Sequence, residues 1–208
     1  TLMCAVAPAQ CAIRFGESPA LVDGEGASGA KHGRLAIATR SLQCGEVAMD
    51  APALAAMLHL EQVGRRCSWC FMPPEESKRL QRCARCRSVF YCGRTCQEAD
   101  WQANHKVECQ AKGLVEEELQ RRGMIGNDAL KDALLAARCL RAMANNPAAC
   151  SASGTLEDLE LIDDYGPEVG LQLQTIAAAV GSVPTLLPKG STMKDVETTL
   201  GRFQNNNF

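Results

Sequence analysis

Eight residues of metal-ligand type fall in four close pairs: Cys67 and Cys70, Cys83 and Cys86, Cys92 and Cys96, and His105 and Cys109. Two residues between cysteines bring both sulfurs to one side of a tight turn, where they can share an ion. Three residues between ligands set them one helical turn apart on a single face. Zinc takes four thiolate or imidazole ligands in a tetrahedron, so four pairs fill two sites and leave no position open for water. Closed sites of this kind serve structure rather than catalysis. The binding energy of such an ion is folding energy, on the order of 10 kcal/mol at neutral pH, and a short segment with few apolar residues needs it. Spacing gives the pairs but leaves open which pairs share an ion.

The remaining cysteines (Cys4, Cys11, Cys44, Cys139, Cys150) are scattered, which is not how a small secreted disulfide scaffold distributes them. Paired spacing with a nearby histidine favours metal in a reducing compartment. Residues 1–12 are mildly apolar, lack a basic leader and contain Pro8 and Gln10, so no signal peptide is expected. No apolar run approaches the roughly 18 residues of a membrane span. The net charge of -2 gives no general case for binding nucleic acid or a membrane. These features predict a soluble monomer, cytoplasmic and/or nuclear.

Three stretches differ in character. Residues 1–66 read as β-rich, with strands at Leu35–Ala38 and from Val47, a turn at Gln43–Glu46, and a strand or helical turn at Ala53–His59. Gly24, Gly26, Gly29 and Gly33 mark a loose loop before the first strand. Residues 67–109 hold the ligands, and the surrounding stretch 61–112 is basic, with Arg79, Arg82, Arg85, Arg87 and Arg94 on a face expected to be solvated. Residues 110–208 read as helical and acidic. Asn127 or Asp128 can cap a helix through Ala144 that carries Leu130, Ala133, Leu134, Ala137 and Leu140 on one face. Thr155 and Asp158 resemble a capping box for a helix near Leu156–Asp163. Further helices are expected at Glu168–Val180 and from Ser191 to about Phe203. The fold class is therefore α+β.

The residues between the ligands carry a resemblance. Tyr91-Cys92-Gly93-Arg94-Thr95-Cys96-Gln97, then Asp100-Trp101 and His105-Lys106-Val107-Glu108-Cys109, resembles the MYND zinc finger. The resemblance implies an interleaved plan: one ion on Cys67, Cys70, Cys92 and Cys96, the other on Cys83, Cys86, His105 and Cys109. It also implies a module that docks protein or peptide partners, often proline-containing. Trp101, Tyr91 and Phe90 are candidates to line such a groove, or else to support the metal sites. Nucleic acid is a less favoured partner.

Upstream, Gly33-Arg34-Leu35-Ala36-Ile37-Ala38-Thr39-Arg40, followed by Gly45-Glu46-Val47, resembles the opening β segment of a SET domain. With the finger following, the chain is similar to the N-terminal portion of SET-MYND protein-lysine methyltransferases. That resemblance implies a split SET domain, an inserted two-zinc finger and a helical insert leading toward the SET core. In the family the first motif helps hold S-adenosylmethionine, which makes Gly33 and Arg34 the candidate cofactor contacts. Leu35 stands where family members usually have a second glycine, which permits close backbone approach. The family's Asn-His-Ser-Cys segment and its later Gly-Glu-Glu stretch with the catalytic tyrosine do not occur in these residues. No catalytic residue is therefore assigned, and residues 1–208 alone are expected to be inactive. Tyr165, His32 and His59 are read as incidental. The alternative to a methyltransferase portion is a non-enzymatic MYND adaptor.

Overall fold

The computed structural model describes residues 13–17, 34–48, 53–124, 126–145 and 166–205, divided between a unit within 1–53 and a unit within 54–208. In the first unit, β1 (Ile13–Glu17) pairs antiparallel with β2 (Arg34–Ala38), in a register running from Ile13 opposite Ala38 to Glu17 opposite Arg34. The expected strand at Leu35–Ala38 is present as β2, and β1 is its partner. The glycine-rich loop lies outside the described residues. The expected turn is present: Glu46 N–H donates to Gln43 O at 3.1 Å, Gly45 takes φ +84°, and Arg40 pairs with Glu46 across it. A second strand does not follow. Glu46–Ala48 joins no ladder among the described residues, and Val47 is 70% exposed, so no apolar face draws this stretch into a sheet.

The second unit begins with an irregular stretch rather than the strand or helical turn expected at 53–59, and a single 3-10 turn follows at Leu60–Gln62. Tertiary partners hold it instead: Met57 packs on the helical core, and Ala56 O accepts a hydrogen bond from Arg138. Next comes a two-residue antiparallel pair, β3 (Gln81–Arg82) with β4 (Phe90–Tyr91). From Arg94 the chain is helical to Arg121: α1 (Arg94–Asp100), a π turn at Trp101–His105, and α2 (Lys106–Arg121). α2 ends in a Schellman motif, with Gly123 at φ +80° donating to Gln120 O and Met124 donating to Leu119 O.

Three more helices complete this unit: α3 (Asn127–Asn145), α4 (Gly166–Gly181) and α5 (Met193–Asn205). Their apolar stripes, with that of α2, enclose one core that includes Val115, Leu134, Ala137, Val180, Leu186 and Leu200. The face expected on α3 is the one that packs: Leu130, Ala133, Leu134 and Ala137 are buried, and Leu140 lies against the same cluster. Alanines at 133, 136, 137, 177 and 179 let the helices approach closely. α5 opens with a capping box in which Thr192 Oγ1 accepts from Asp195 N–H and the Asp195 carboxylate accepts from Thr192 N–H. The helix expected near 156–163 lies outside the described residues, as does Tyr165. The fold is α+β and mainly helical, with two small antiparallel pairs among the described residues.

Candidate metal centre

Each CxxC pair folds as the same turn. After Cys67-Ser68-Trp69-Cys70, Phe71 takes φ +61° and its N–H closes on Cys67 O at 3.0 Å. After Cys83-Ala84-Arg85-Cys86, Arg87 takes φ +55° and its N–H closes on Cys83 O at 3.0 Å. A left-handed conformation at a residue other than glycine is strained. It recurs here at the two places where the chain must turn a pair of sulfurs inward. Ser68 fastens the first turn to β4, donating N–H to Phe90 O and accepting from Phe90 N–H through its hydroxyl.

The second half of the ligand set comes from β4 and the long helix. Cys92 and Cys96 bracket the start of α1, while His105 and Cys109 span the junction of the π turn with α2. The structure gathers the eight residues into two groups, Cys67, Cys70, Cys92 and Cys96, and Cys83, Cys86, His105 and Cys109, with the donor atoms of each group all within 4.8 Å of one another. This is the interleaved arrangement that the resemblance implied. Cys70 and Cys92 sulfurs lie 3.8 Å apart, Cys92 and Cys96 3.3 Å, and Cys83 and Cys109 4.0 Å. Cys86 Sγ lies 3.5 Å from His105 Nε2. With zinc–sulfur bonds of about 2.3 Å, a tetrahedron has sulfur–sulfur edges of about 3.8 Å, and a sulfur–nitrogen edge of about 3.6 Å. The donors therefore fit zinc in both chemistry and size.

The electrostatics point the same way. Burial opposes the Cys67 thiolate, but backbone N–H groups of Cys70, Cys92 and Trp69 outweigh it and bring the thiol to about 7. Burial likewise opposes the Cys83 thiolate, and the Cys86 and Arg85 N–H groups with His105 bring it to about 6. Burial and neighbouring sulfurs push Cys109 up to about 12, and Cys96 rises for the same reasons. Four sulfurs this close do not all ionise unless a cation lies between them. Cys139 belongs to neither group; it is buried in α3 and its thiol is pushed up to about 11 by burial.

The aromatic residues divide. Tyr91 is 1% exposed and donates its hydroxyl to Asp100 Oδ2 at 2.7 Å. It supports the site and cannot line an open groove, which corrects that half of the expectation. Trp101 is half-buried, and both it and Tyr91 stand edge-on to the His105 ring, with centroids 5.8 and 6.3 Å away. These contacts fix the imidazole so that Nε2 faces Cys86. Phe90 is half-buried, whereas Trp69, at 38%, is the finger's exposed aromatic side chain. The five arginines of the basic face are all exposed.

Sequence reasoning missed what lies behind the ligands. Glu108, next to Cys109, is buried and accepts from Arg138 Nε at 2.9 Å and Nη2 at 2.7 Å, and also from Arg141. Burial works against its charge, but the two guanidiniums win and hold the carboxyl below its ordinary range. Arg138 also donates to Ala56 O, and Arg141 to Leu186 O at 2.7 Å. The signal was present in the pattern. Glu108 shares a helix face with Ala111, Val115 and Leu119, and Arg138 and Arg141 continue the stripe of Leu130, Leu134 and Ala137. A charge on an apolar stripe calls for a partner. Of the candidate cofactor contacts, Gly33 lies outside the described residues and Arg34 opens β2 opposite Glu17. His32 also lies outside them, and His59 is exposed, 3.7 Å from the Asp128 carboxylate.

Comparison with known proteins agrees with this geometry. The family model described as MYND finger matches residues 67–109. Residues 67–109 are a MYND finger. Among similar proteins, N-lysine methyltransferase SMYD2-A of Xenopus laevis is 39% identical over 79 residues, which is 38% of this chain and 17% of the relative. N-lysine methyltransferase SMYD2 of Homo sapiens is 38% identical over 77 residues, 37% of this chain and 17% of the relative. That of Gallus gallus is 39% identical over 79 residues, again 17% of its length. The resemblance to the N-terminal portion of SET-MYND proteins, read from the residues, is supported by these matches. Among the described residues no helix is long and apolar enough to cross a membrane.

Proposed function

We propose that this chain is a two-zinc MYND protein forming the N-terminal part of a SET-MYND protein-lysine methyltransferase. The observation that carries the reading is a pair of zinc-sized tetrahedral donor sets within a MYND finger, in a chain whose match to lysine methyltransferases is longer than the finger itself. In this reading 1–66 is the opening β segment of a split SET domain, 67–109 the inserted finger and 110–208 a helical insert. One zinc is held by Cys67, Cys70, Cys92 and Cys96, and the other by Cys83, Cys86, His105 and Cys109. Both sites are closed by protein ligands, so the metals supply folding energy and leave no site for a reacting water. Gly33 and Arg34 contribute one wall of an S-adenosylmethionine pocket whose remaining walls come from the SET core. Trp69 and Trp101 offer apolar surface to a protein or proline-containing peptide. The protein works as a cytoplasmic or nuclear monomer.

Metal analysis tests the first part, with two zinc per chain expected and a value near one refuting the eight-ligand assignment. The natural gene product that contains this chain tests the second. It should transfer a labelled methyl group from S-adenosylmethionine to a lysine in protein substrates. A two-zinc protein without transfer would replace the methyltransferase reading with a MYND adaptor, for which the exposed basic face and Trp69 already provide a surface.

A further inference from the structure

The two donor sets differ in how far solvent reaches them. In one, Cys83, His105 and Cys109 are 3%, 3% and 5% exposed. In the other, Cys70 and Cys92 are exposed, and only Cys67 is fully buried. A cleft of about 170 Å³ opens beside Cys92 and Cys96, walled by Pro74, Glu75, Lys78, Arg79 and Thr95. Cys70 is not part of its lining. Zinc bound by four thiolates carries a net charge of about -2, which repels anions and makes the sulfurs nucleophilic. Lys78 and Arg79 stand where they offset that charge. Glu75, 2.6 Å from Lys78, offsets that side chain, so Arg79 carries the net positive charge of the cleft wall. The outer set thus combines an accessible sulfur, a neighbouring sulfur 3.3 Å away and cations that admit an anionic reagent.

We propose that Cys92 and Cys96 form a redox modification site for small anionic disulfides, through which the outer zinc is released while the inner zinc is retained. This rests on the two-zinc reading above. The Cys92 thiolate attacks one sulfur of the disulfide. The reagent's S–S bond breaks, one of its halves leaves as a thiolate, and a mixed disulfide forms on Cys92. The Cys96 thiolate then attacks Cys92 Sγ and expels the second half as a thiolate. The two sulfurs need to close by only about 1.3 Å to bond. Two cysteine thiolates give up two electrons in all, and the reagent's disulfide accepts them. No proton enters the balance until the released thiolates equilibrate with water. With two of its four ligands removed, the outer ion departs. The inner set, packed with Tyr91 and Trp101, shows solvent only a partly exposed Cys86, with its two other sulfurs, on Cys83 and Cys109, buried.

The test uses the full chain after metal analysis has shown two zinc; a lower starting value would refute the two-zinc reading rather than this one. Oxidised glutathione is added, release is followed with a metal-sensitive dye, and disulfides are mapped by mass spectrometry. One zinc per chain should leave, with Cys92 and Cys96 recovered in a single linkage, and reductant plus zinc should restore the starting state. Lys78→Glu combined with Arg79→Glu should slow release by oxidised glutathione on the order of tenfold and speed release by the cationic disulfide cystamine. Loss of both zinc ions at one rate would overturn the proposal. So would a linkage mapped to Cys70 or to the inner set, or rates unmoved by charge reversal.

Discussion

Replacing Arg138 with methionine tests whether the finger and the helices behind it share one stability. The Glu108 and Arg138 side chains are 5% and 7% exposed and are joined by two parallel hydrogen bonds, with Arg141, at 11%, on the same carboxylate. Removing Arg138 takes two charge-assisted hydrogen bonds from a buried carboxylate that keeps Arg141 as its remaining cation, which costs about 2–3 kcal/mol. The loss is greater than for an exposed pair because both side chains are shielded from water. Ala56 O loses its donor as well, adding about 1 kcal/mol. At a urea m-value of about 2 kcal/mol/M, the midpoint should fall by about 2 M, read by circular dichroism with zinc content measured in parallel. Glu108→Gln alters the acceptor of the same two bonds, so the two substitutions should be non-additive by at least about 1 kcal/mol. Arg94→Ala, which breaks an exposed pair with Glu98, should leave the midpoint essentially unchanged. A loss at Arg138 no larger than at Arg94, or full additivity with Glu108→Gln, would refute the argument.

Exhaustive chelation should abolish protease protection of 67–109 while the α3–α5 core, which supplies no ligand, stays helical; a finger still protected after chelation would defeat the metal assignment. Cys92→Ser should lower zinc content to about one per chain and expose the outer half of the finger to digestion; an unchanged digest would count against it. Tyr91→Phe removes the donor to a buried carboxylate whose other oxygen, Asp100 Oδ1, has no partner. It should cost about 1–3 kcal/mol in urea unfolding. Thr192→Ala deletes the cap of α5 and should cost about 1 kcal/mol, read the same way, with Thr192→Ser recovering most of it.

The parts of this fold that the sequence made legible are those written as spacing. Ligand intervals gave the pairs, because a tetrahedral ion accepts few chain geometries. The three- and four-residue recurrence of Leu130, Ala133, Leu134 and Ala137 gave the buried face of α3. What escaped depended on neighbours far along the chain. The stretch 53–59 was ambiguous because alanines suit strand and helix alike, and its conformation follows from packing against α3. The strand expected from Val47 has the right local composition but no ladder to join among the described residues. The positive φ at Phe71 and Arg87 has no local signature, since neither residue is glycine or asparagine. The Glu108 cluster joins positions some thirty residues apart, and only the mismatch between charge and stripe pointed to it.

The π turn at Trp101–His105 sets the angular phase of everything after it. A helix advances about 100° per residue and the π turn takes up one extra residue, so winding the same residues as a regular α turn would rotate α2 by about that amount relative to α1. His105 and Cys109 would swing off Cys83 and Cys86, and Glu108 would point away from Arg138 in the same motion. Metal binding and helix docking thus share a single rotational setting, so a change of winding there cannot spare one and lose the other.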